Sequence, residues 1–344
     1  MAESKEDSKS AREKFLAEMK RTVEKAKSMT PEELQVSYKG ILYPSLLCSE
    51  ATFQAMETLE AREDDVLIMT YPKCGTNWSI EILHQMLYEQ QNKEPTIDNA
   101  MLEFGKPEKF EMRWAISPKK LNMRNGCLEP KLTFMGKKIV SNQFLIFLKH
   151  QPSPRLFASH LTYENIPKSF LEKTKILLIL RNPKDTAVSY YHFLNGNPVL
   201  PTMSSWDSFF DDFITGNVIY GSYFDYTLGW EKHLDDGNLL VLTFEDMKTD
   251  LLAELKKISE FYGITLTDEQ LQKVHDKSTF KSMKGNAGET HGNMANVFFR
   301  KGEIGDWKSL FTEEQSKQVD AKFEEYLAGT KLGAKINYSK YCTF

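Results

Sequence analysis

The chain of 344 residues is long enough to bury a core without disulfide bonds, and its length suits one large domain or two small ones. Hydrophobic residues make up 41% and charged residues 27% of the sequence, which argues against a disordered chain or a fibre. The net charge of −4 argues against a general attraction to nucleic acid and is compatible only with a local basic pocket.

The sequence contains four widely scattered cysteines, Cys48, Cys74, Cys127 and Cys342. Their spacing predicts neither a disulfide framework nor a structural metal site, and it fits a reducing compartment. The N-terminal stretch MAESKEDSKSAREKF lacks the apolar segment of a signal peptide, and the apolar runs at 144–148 and 176–180 are too short to span a bilayer. We therefore predict a cytosolic protein with neither a membrane nor a nucleic acid as partner.

The chain begins with a charged extension over residues 1–36, in which Leu16, Met19 and Val23 recur at helical spacing. This pattern predicts a surface helix or a frayed end. Residues 37–344 contain no repeat or obvious linker, so we predict a single domain there. Apolar runs predict strands at 64–72, 154–161, 175–183 and 237–247, and the stretches that follow predict helices at 76–90, 184–194 and 249–263.

Short, nearly all-apolar strands that alternate with helices are typical of a parallel sheet covered on both faces. We therefore predict an α/β fold, a single domain with a central parallel β-sheet flanked by helices. Such sheets bind ligands beyond the carboxyl ends of their strands, where the loops after residues 71, 160, 181 and 245 would meet. Residues 92–155 lack periodicity and predict a long loop region with short helices that shapes a substrate pocket.

The stretch MTYPKCGTNW at 69–78 places a glycine bend between a predicted strand and a predicted helix. Backbone N–H groups and the positive end of the helix dipole would point at one place there, which favours an anion site. An ordinary strand-to-helix turn is the alternative. The lysine precedes a lone Gly75, so the order differs from a Walker A loop, and no GxGxxG is present. ATP and a Rossmann-type dinucleotide are therefore disfavoured.

Two further stretches combine basic groups with turn residues. RNPKDTAVSYYHF at 181–193 begins with an arginine at a strand end, and FFRKGEIGDWKSLF at 298–311 has a basic pair beside a glycine. Both suit a phosphate. The alternatives are an arginine that pairs with an acidic side chain and a solvated basic turn. Trp78 and Phe280 could stack on a base or belong to the core.

Taken in order, YPKCGTNW, RNPKDTAVSYYHF and RKGEIGDWKSLFT resemble the three signatures of the cytosolic sulfotransferases, from about residue 37 to the last helix. We identify the chain as a divergent member. The resemblance implies transfer of a sulfuryl group from 3′-phosphoadenylyl sulfate (PAPS) to an alcohol, phenol or amine, with adenosine 3′,5′-bisphosphate (PAP) as product and no metal. It also implies a P-loop-like loop that binds the phosphosulfate.

The resemblance assigns the residues of the cofactor site in three groups. The 5′-phosphosulfate loop comprises Lys73, Cys74, Gly75, Thr76, Asn77 and Trp78, the last of which stacks on adenine. The 3′-phosphate group comprises Arg181, Ser189, Arg300, Lys301 and Gly302. The remaining cofactor contacts are Ser278, Thr279, Phe280, Phe298, Phe299 and Phe224, the last at a position where the family has a tyrosine.

The resemblance makes His160 the catalytic base, and an imidazole is suited to accept a hydroxyl proton near pH 7. Lys73 would stabilise the charge that develops on the leaving oxygen. The acceptor would be a small hydroxylated molecule such as a phenol, an iodothyronine-like hormone or a steroid alcohol.

The sequence departs from the family at several positions. A family lysine two residues before the catalytic histidine is Ala158 here, and the loop carries Cys74 and Asn77 in place of the usual residues. Ala158 and Phe224 motivate an alternative function, a catalytically weak module that binds PAPS or PAP. A small-molecule kinase is a third hypothesis. The family's dimer motif KxxxTVxxxE is absent, so both a monomer and a homodimer stay open.

Overall fold

The computed structural model describes residues 20–91, 100–104, 151, 153–291 and 294–344. Its centre is a five-stranded sheet in the order β4-β5-β3-β6-β7, in which every neighbouring pair is parallel. The strands are β3 (Val66–Thr70), β4 (Ala100–Met101), β5 (Leu156–Ser159), β6 (Lys175–Leu180) and β7 (Leu239–Thr243). A separate antiparallel hairpin joins β1 (Gln35–Tyr38) and β2 (Ile41–Pro44).

Helices flank the sheet and fill the C-terminal part of the chain. Those up to the last strand are α1 (Glu50–Met56), α2 (Thr76–Gln91), α3 (Lys168–Lys173), α4 (Pro183–Gly196), α5 (Trp206–Thr215) and α6 (Tyr223–Glu231). Those after it are α7 (Phe244–Thr249), α8 (Leu251–Tyr262), α9 (Asp268–Ser278), α10 (Phe280–His291), α11 (Ala295–Phe298), α12 (Glu313–Tyr326), α13 (Lys331–Ile336) and α14 (Tyr338–Tyr341).

The central strand β3 is apolar from Val66 to Met69 because both of its faces are covered. Leu67 and Met69 belong to one hydrophobic cluster, whereas Val66 and Ile68 belong to the cluster on the opposite face. Successive side chains of a strand point to opposite faces, so a strand between two helical layers needs apolar residues at every position. The predicted α/β class and parallel central sheet are confirmed.

The end of β7 differs from the sequence prediction, which extended this strand over 237–247. The strand stops at Thr243, and residues 244–249 form helix α7. The Thr243 side chain accepts a hydrogen bond from the backbone N–H of Asp246, which caps the new helix. The apolar residues Phe244 and Met247 continued the strand pattern, and that continuity concealed the boundary.

Two predicted segments fall largely outside the described residues. Most of the predicted loop region 92–155 is among them, but Ala100–Met101 within it forms the edge strand β4, which the pattern did not predict. Residues 1–19 of the predicted extension also lie outside the described part. Residues 20–27 are helical, and Ala26 is buried against the main hydrophobic cluster, so this part of the extension packs on the domain. The boundary at residue 37 stays a prediction.

Parallel pairing brings the carboxyl ends of β3, β5 and β6 to one edge of the sheet. Met69 of β3 lies opposite Ser159 of β5 and Leu178 of β6. The loops that follow these strands therefore converge beyond that edge, as expected for this fold class. Within the part of the chain that the structure describes, no helix is both long and apolar enough to cross a membrane.

Candidate active site

The loop after β3 is a tight turn that holds Lys73 in an uncommon backbone conformation. The N–H of Cys74 donates to the carbonyl of Tyr71, which closes a four-residue turn with Pro72 in second position and Lys73 in third. Lys73 has φ +71°, and a type II turn requires such a positive φ at its third residue. A non-glycine residue there is unusual, and such conformations concentrate at functional sites.

Helix α2 begins directly after this turn. Gly75 has φ +115°, and its carbonyl accepts the N–H of Ser79 at 2.9 Å, so the helix starts within the loop. The first N–H groups of a helix lack intrahelical partners, and the dipole gives this end a partial positive charge. Gly75, Thr76 and Asn77 line a cavity of about 1700 Å³ at this point. The loop therefore offers an anion a set of donors as well as a lysine.

Lys73 sits among other cations. Burial, followed by the positive charges of Arg181 and Arg300, lowers the pKa of Lys73 to about 7. Its Nζ lies 4.2 Å from the centre of the Phe193 ring, which supplies only a weak compensating interaction. A bound anion would relieve this repulsion, so the site is built for negative charge.

His160 follows β5 directly, and the pairing of β5 with β3 places it beside Thr70. Its Nδ1 lies 2.8 Å from the Thr70 carbonyl oxygen and 3.2 Å from the Thr70 hydroxyl. A carbonyl only accepts hydrogen bonds, so Nδ1 carries the proton and Nε2 keeps a lone pair. Burial and the charge of Lys73 lower the pKa of His160 to about 4, despite the Thr70 carbonyl, which raises it. The ring lines the cavity as a neutral imidazole near pH 7.

Arg181 directly follows β6 and is buried, yet among the described residues its guanidinium has no ion pair with an acidic side chain, the alternative that the sequence left open. It donates to two backbone carbonyls, those of Lys73 at 3.2 Å and Glu303 at 2.9 Å. Its Nε has no hydrogen-bond partner among the described residues, and the same holds for Nε of Arg300. Buried donors of this kind normally have partners. Arg181 and Arg300 both line the cavity, and guanidinium groups suit phosphate oxygens.

The basic pair at 300–301 is held by an acidic neighbour, although the Lys301 side chain stays exposed. The Asp306 carboxylate binds both Arg300 and Lys301. Burial alone would raise the pKa of Asp306, but the bonds from Lys301 and Arg300 lower it below its usual value. Gly302 has φ +66°, and a Cβ there would clash with the Phe280 ring, so this position favours glycine.

Asp185 connects this loop to helix α4. One of its carboxylate oxygens accepts the N–H of Gly305 at 2.8 Å, and the other accepts the N–H of Trp307 at 2.9 Å. Asp185 also belongs to the N-terminal turn of α4, where its own N–H donates to the Asn182 side chain. The same helix carries Ser189, which lines the cavity. The second and third sequence motifs are therefore joined physically.

Aromatic side chains form a further wall of the cavity. The indole N–H of Trp78 donates to the Ser278 carbonyl at 2.7 Å, which fixes the plane of its ring. Phe244 meets Trp78 edge-on with ring centres 5.4 Å apart, and Phe280 lies 6.3 Å from Phe299. Flat faces in this arrangement suit a heteroaromatic base.

The cavity brings together most of the residues assigned from the sequence. Those that line it are Lys73, Gly75, Thr76, Asn77, Trp78, His160, Arg181, Ser189, Thr279, Phe280, Phe298, Phe299, Arg300, Lys301 and Gly302. Among them we call Lys73, Arg181, Arg300 and Lys301 the basic end.

Three assigned residues do not line the cavity. The Cys74 side chain is buried against Thr186, and burial raises its pKa to about 12. Ser278 is buried and contacts Trp78 through its carbonyl. Phe224 is buried and contacts the rings of Tyr223 and Tyr326.

The sequence interpretation missed several residues of the site. Phe244 lines the cavity, and the Arg181 guanidinium lies 4.3 Å from the centre of its ring. The position of Phe244 in an apolar run did not indicate a role in the site, because such runs predict only residues of the hydrophobic core. Asp306, Phe193 and Glu103 were missed as well, since their roles depend on contacts with distant segments.

A second set of lining side chains is apolar and comes from four separate segments. We call it the apolar end: Pro44, Leu47, Met101, Phe104, Pro198, Val199, Leu200, Ile219 and Tyr220. The Tyr220 ring meets His160 edge-on at 4.9 Å, so this end adjoins the imidazole. The cavity thus combines charged and apolar walls on either side of a neutral histidine.

Comparison with known proteins agrees with this geometry. The sulfotransferase domain family matches residues 63–331 of the chain. Sulfotransferase 6B1 of Mus musculus is 41% identical over 331 residues, which cover 96% of this chain and 98% of the relative. Sulfotransferase 6B1 of Danio rerio is 42% identical over 328 residues, which cover 95% of this chain and 100% of the relative.

The structure is also similar to that of mouse sulfotransferase SULT7A1 complexed with PAP. The TM-score is 0.71 and the identity 30%, and the match covers 90% of this chain and 100% of the other. The family match, the identities and the shared fold agree over nearly the whole chain. The chain therefore belongs to the sulfotransferase family, and it is a sulfotransferase.

Proposed function

We propose that the protein transfers the sulfuryl group of PAPS to the hydroxyl group of a small acceptor and releases PAP. One observation carries the proposal: a neutral His160 opens into the same cavity as the four cations of the basic end. The PAP bound to the mouse relative supports a donor of this type.

The basic end and the aromatic wall would hold the donor. The turn at Lys73 and the first N–H groups of α2 suit the 5′-phosphosulfate, since they combine a cation with helix-terminal donors. The guanidinium groups of Arg181 and Arg300, with Ser189 and Lys301 on the same cavity, suit the 3′-phosphate. Trp78, Phe244 and Phe280 suit the adenine.

His160 would act on the acceptor. Its Nε2 keeps a lone pair because Nδ1 donates to Thr70, so Nε2 can take the hydroxyl proton. The acceptor oxygen forms a bond to sulfur while the bond between sulfur and the phosphate oxygen breaks, in line. Lys73 would stabilise the negative charge that remains on that phosphate oxygen.

The apolar end favours a flat apolar acceptor, and we propose a phenol, an iodothyronine-like hormone or a steroid alcohol. We assign catalysis to residues 37–344, a range that includes the family match at 63–331. We further propose, from the family resemblance, that the protein works in the cytosol without a metal ion. Without the usual dimer motif, a monomer and a homodimer are both compatible with the proposal.

The test is sulfuryl transfer from PAPS carrying a ³⁵S label to a panel of phenols, iodothyronines and steroid alcohols, with PAP binding measured in parallel. We expect transfer to at least one acceptor class and no change on addition of EDTA. PAP binding without transfer to any acceptor would favour the alternative function, a catalytically weak binding module. Ala158, which stands where the family has a lysine, is a reason to consider that alternative. Transfer from ATP that depends on Mg²⁺ would instead establish a kinase.

A further inference from the structure

Glu103 is a buried carboxyl group that the sequence motifs do not include. It is the second residue after β4, and its exposed fraction is 0%. Its Oε1 accepts the backbone N–H of His160 at 3.0 Å, and its Oε2 accepts the Ser159 hydroxyl at 2.8 Å. A buried carboxylate is costly unless it is well bonded, so its place beside the histidine requires an explanation.

The bonds of Glu103 continue the sheet beyond its last ladder pair. Leu102 donates to the Ala158 carbonyl at 2.9 Å, and Glu103 then reaches the next two residues of the neighbouring segment. The Ser159 hydroxyl also accepts the N–H of Leu161 at 3.1 Å. The backbone on both sides of His160 is therefore tied to one carboxyl group.

Burial raises the pKa of Glu103 to about 7, while the donors around it, including the N–H of His160 and the Ser159 hydroxyl, lower it. The ionised form accepts hydrogen bonds more strongly than the neutral acid. Other titratable groups face this carboxyl or act on its neighbours. They are Tyr43 of β2, Tyr220 in the loop before α6, Tyr226 of α6, Lys73 after β3 and His160 after β5.

We propose that Glu103 is a positioning residue that fixes the backbone at Ser159–Leu161 so that Nε2 of His160 meets the acceptor hydroxyl. The inference rests on the proposed role of His160 as general base. Two contacts hold the ring and its backbone: Thr70 binds Nδ1, and Glu103 binds the backbone N–H. Loss of the second contact leaves the ring free to shift against the acceptor, and displacements of about 1 Å can cost about 100-fold in rate.

The experiment compares Glu103→Ala and Glu103→Gln, with Glu254→Gln as the control. Glu254 is another buried glutamate, which binds Lys257 and does not line the cavity. For each purified protein, kcat is measured between pH 5.5 and 9 at saturating PAPS and acceptor, together with the Kd of PAP and the thermal midpoint. Saturating PAPS keeps Lys73 bound to the anion and removes its titration from kcat.

For E103A we expect kcat to fall about 30- to 100-fold with an unchanged Kd for PAP, because only the acceptor side is displaced. For E103Q we expect a loss of about 3-fold or less above pH 8, since the amide oxygen can accept the His160 N–H and Ser159 can accept from the amide NH₂. Wild-type kcat should rise as the pH increases through about 7, and E103Q should lack this step because an amide does not titrate.

Wild-type kcat and an unchanged pH profile in both Glu103 variants would overturn the proposal. A loss of PAP affinity equal to the loss of kcat would also overturn it, because it would indicate a general structural role. His160→Ala separates the two levels of inference. If H160A retains turnover, the general-base assignment fails; if H160A is inactive while E103A matches the wild type, only the role of Glu103 fails.

Discussion

The two ends of the cavity are built in different ways. The basic end uses a few charged residues that lie in three compact motifs, each at the carboxyl end of a strand or in one loop. The apolar end draws its side chains from four segments that are far apart in the sequence. Charge recognition needs specific donors at specific points, whereas an apolar wall needs only shape and volume. The residues of the basic end can therefore be predicted from sequence motifs, and those of the apolar end cannot.

His160 lies between these ends, and its removal should have the largest effect. We expect His160→Ala to lower kcat by about 10²- to 10⁴-fold, the range for general acid–base catalysis. The Kd of PAP should change less than about 2-fold, because the imidazole would contact the acceptor and not PAP. Steady-state kinetics and calorimetry measure the two quantities.

The matched control is His233→Ala, because His233 pairs with Asp236 and does not line the cavity. It should leave both quantities unchanged. A fall in PAP affinity as large as the fall in kcat for H160A would contradict the proposal that the donor and the acceptor bind at different ends of the cavity.

Arg300 tests the basic end. We expect Arg300→Ala to weaken PAP binding by about 1.5–3 kcal/mol, the range for a hydrogen bond to a charged group. The KM for the acceptor, measured at saturating PAPS, should not change. Arg62→Ala is the control, since Arg62 bonds to the Gln151 carbonyl and the Ser153 hydroxyl and does not line the cavity. Unchanged PAP affinity in R300A would place this guanidinium away from the 3′-phosphate.

Two phenylalanines test how far the motifs alone define the cofactor site. Phe244 contacts Trp78 and lines the cavity, whereas Phe224 packs between Tyr223 and Tyr326. We expect Phe244→Leu to weaken PAP binding by about 0.5–1.5 kcal/mol, the value of an aromatic contact. Phe224→Leu should leave the Kd unchanged and lower thermal stability only. The reverse result in titration calorimetry would restore the assignment made from the sequence.

The smallest effect is a change in proton count at Lys73. Its pKa of about 7 leaves it mostly neutral at pH 8 in the free protein, and the bound anion should raise that pKa. PAP binding should therefore take up about one proton at pH 8 and almost none at pH 6. Calorimetry in buffers of different ionisation enthalpy measures this uptake. Lys73→Met should abolish the uptake at pH 8, and equal uptake in both proteins would assign the proton elsewhere.

Much of the fold could be predicted because the central strands carry a local signal. The apolar run at 66–69 has no polar face, which marks a strand covered on both sides. The boundary between β7 and α7 could not be predicted, because Phe244 and Met247 satisfy both the strand and the helix pattern. The strand β4 is two residues long, and its partner among the described residues is β5, which lies far away in the sequence.

The sequence by itself predicted a bend between β3 and α2, since Pro72 and Gly75 are turn residues between an apolar run and a helical pattern. It also supplied the ordered motifs that identify the family. Tertiary structure decided which side chains share the cavity. The contact between Glu103 and His160, the pairing of Asp306 with Arg300, and the place of Phe244 at the cavity beside Trp78 all depend on contacts that the fold makes. Local backbone chemistry fixes a turn, but only chain packing brings distant residues to one point.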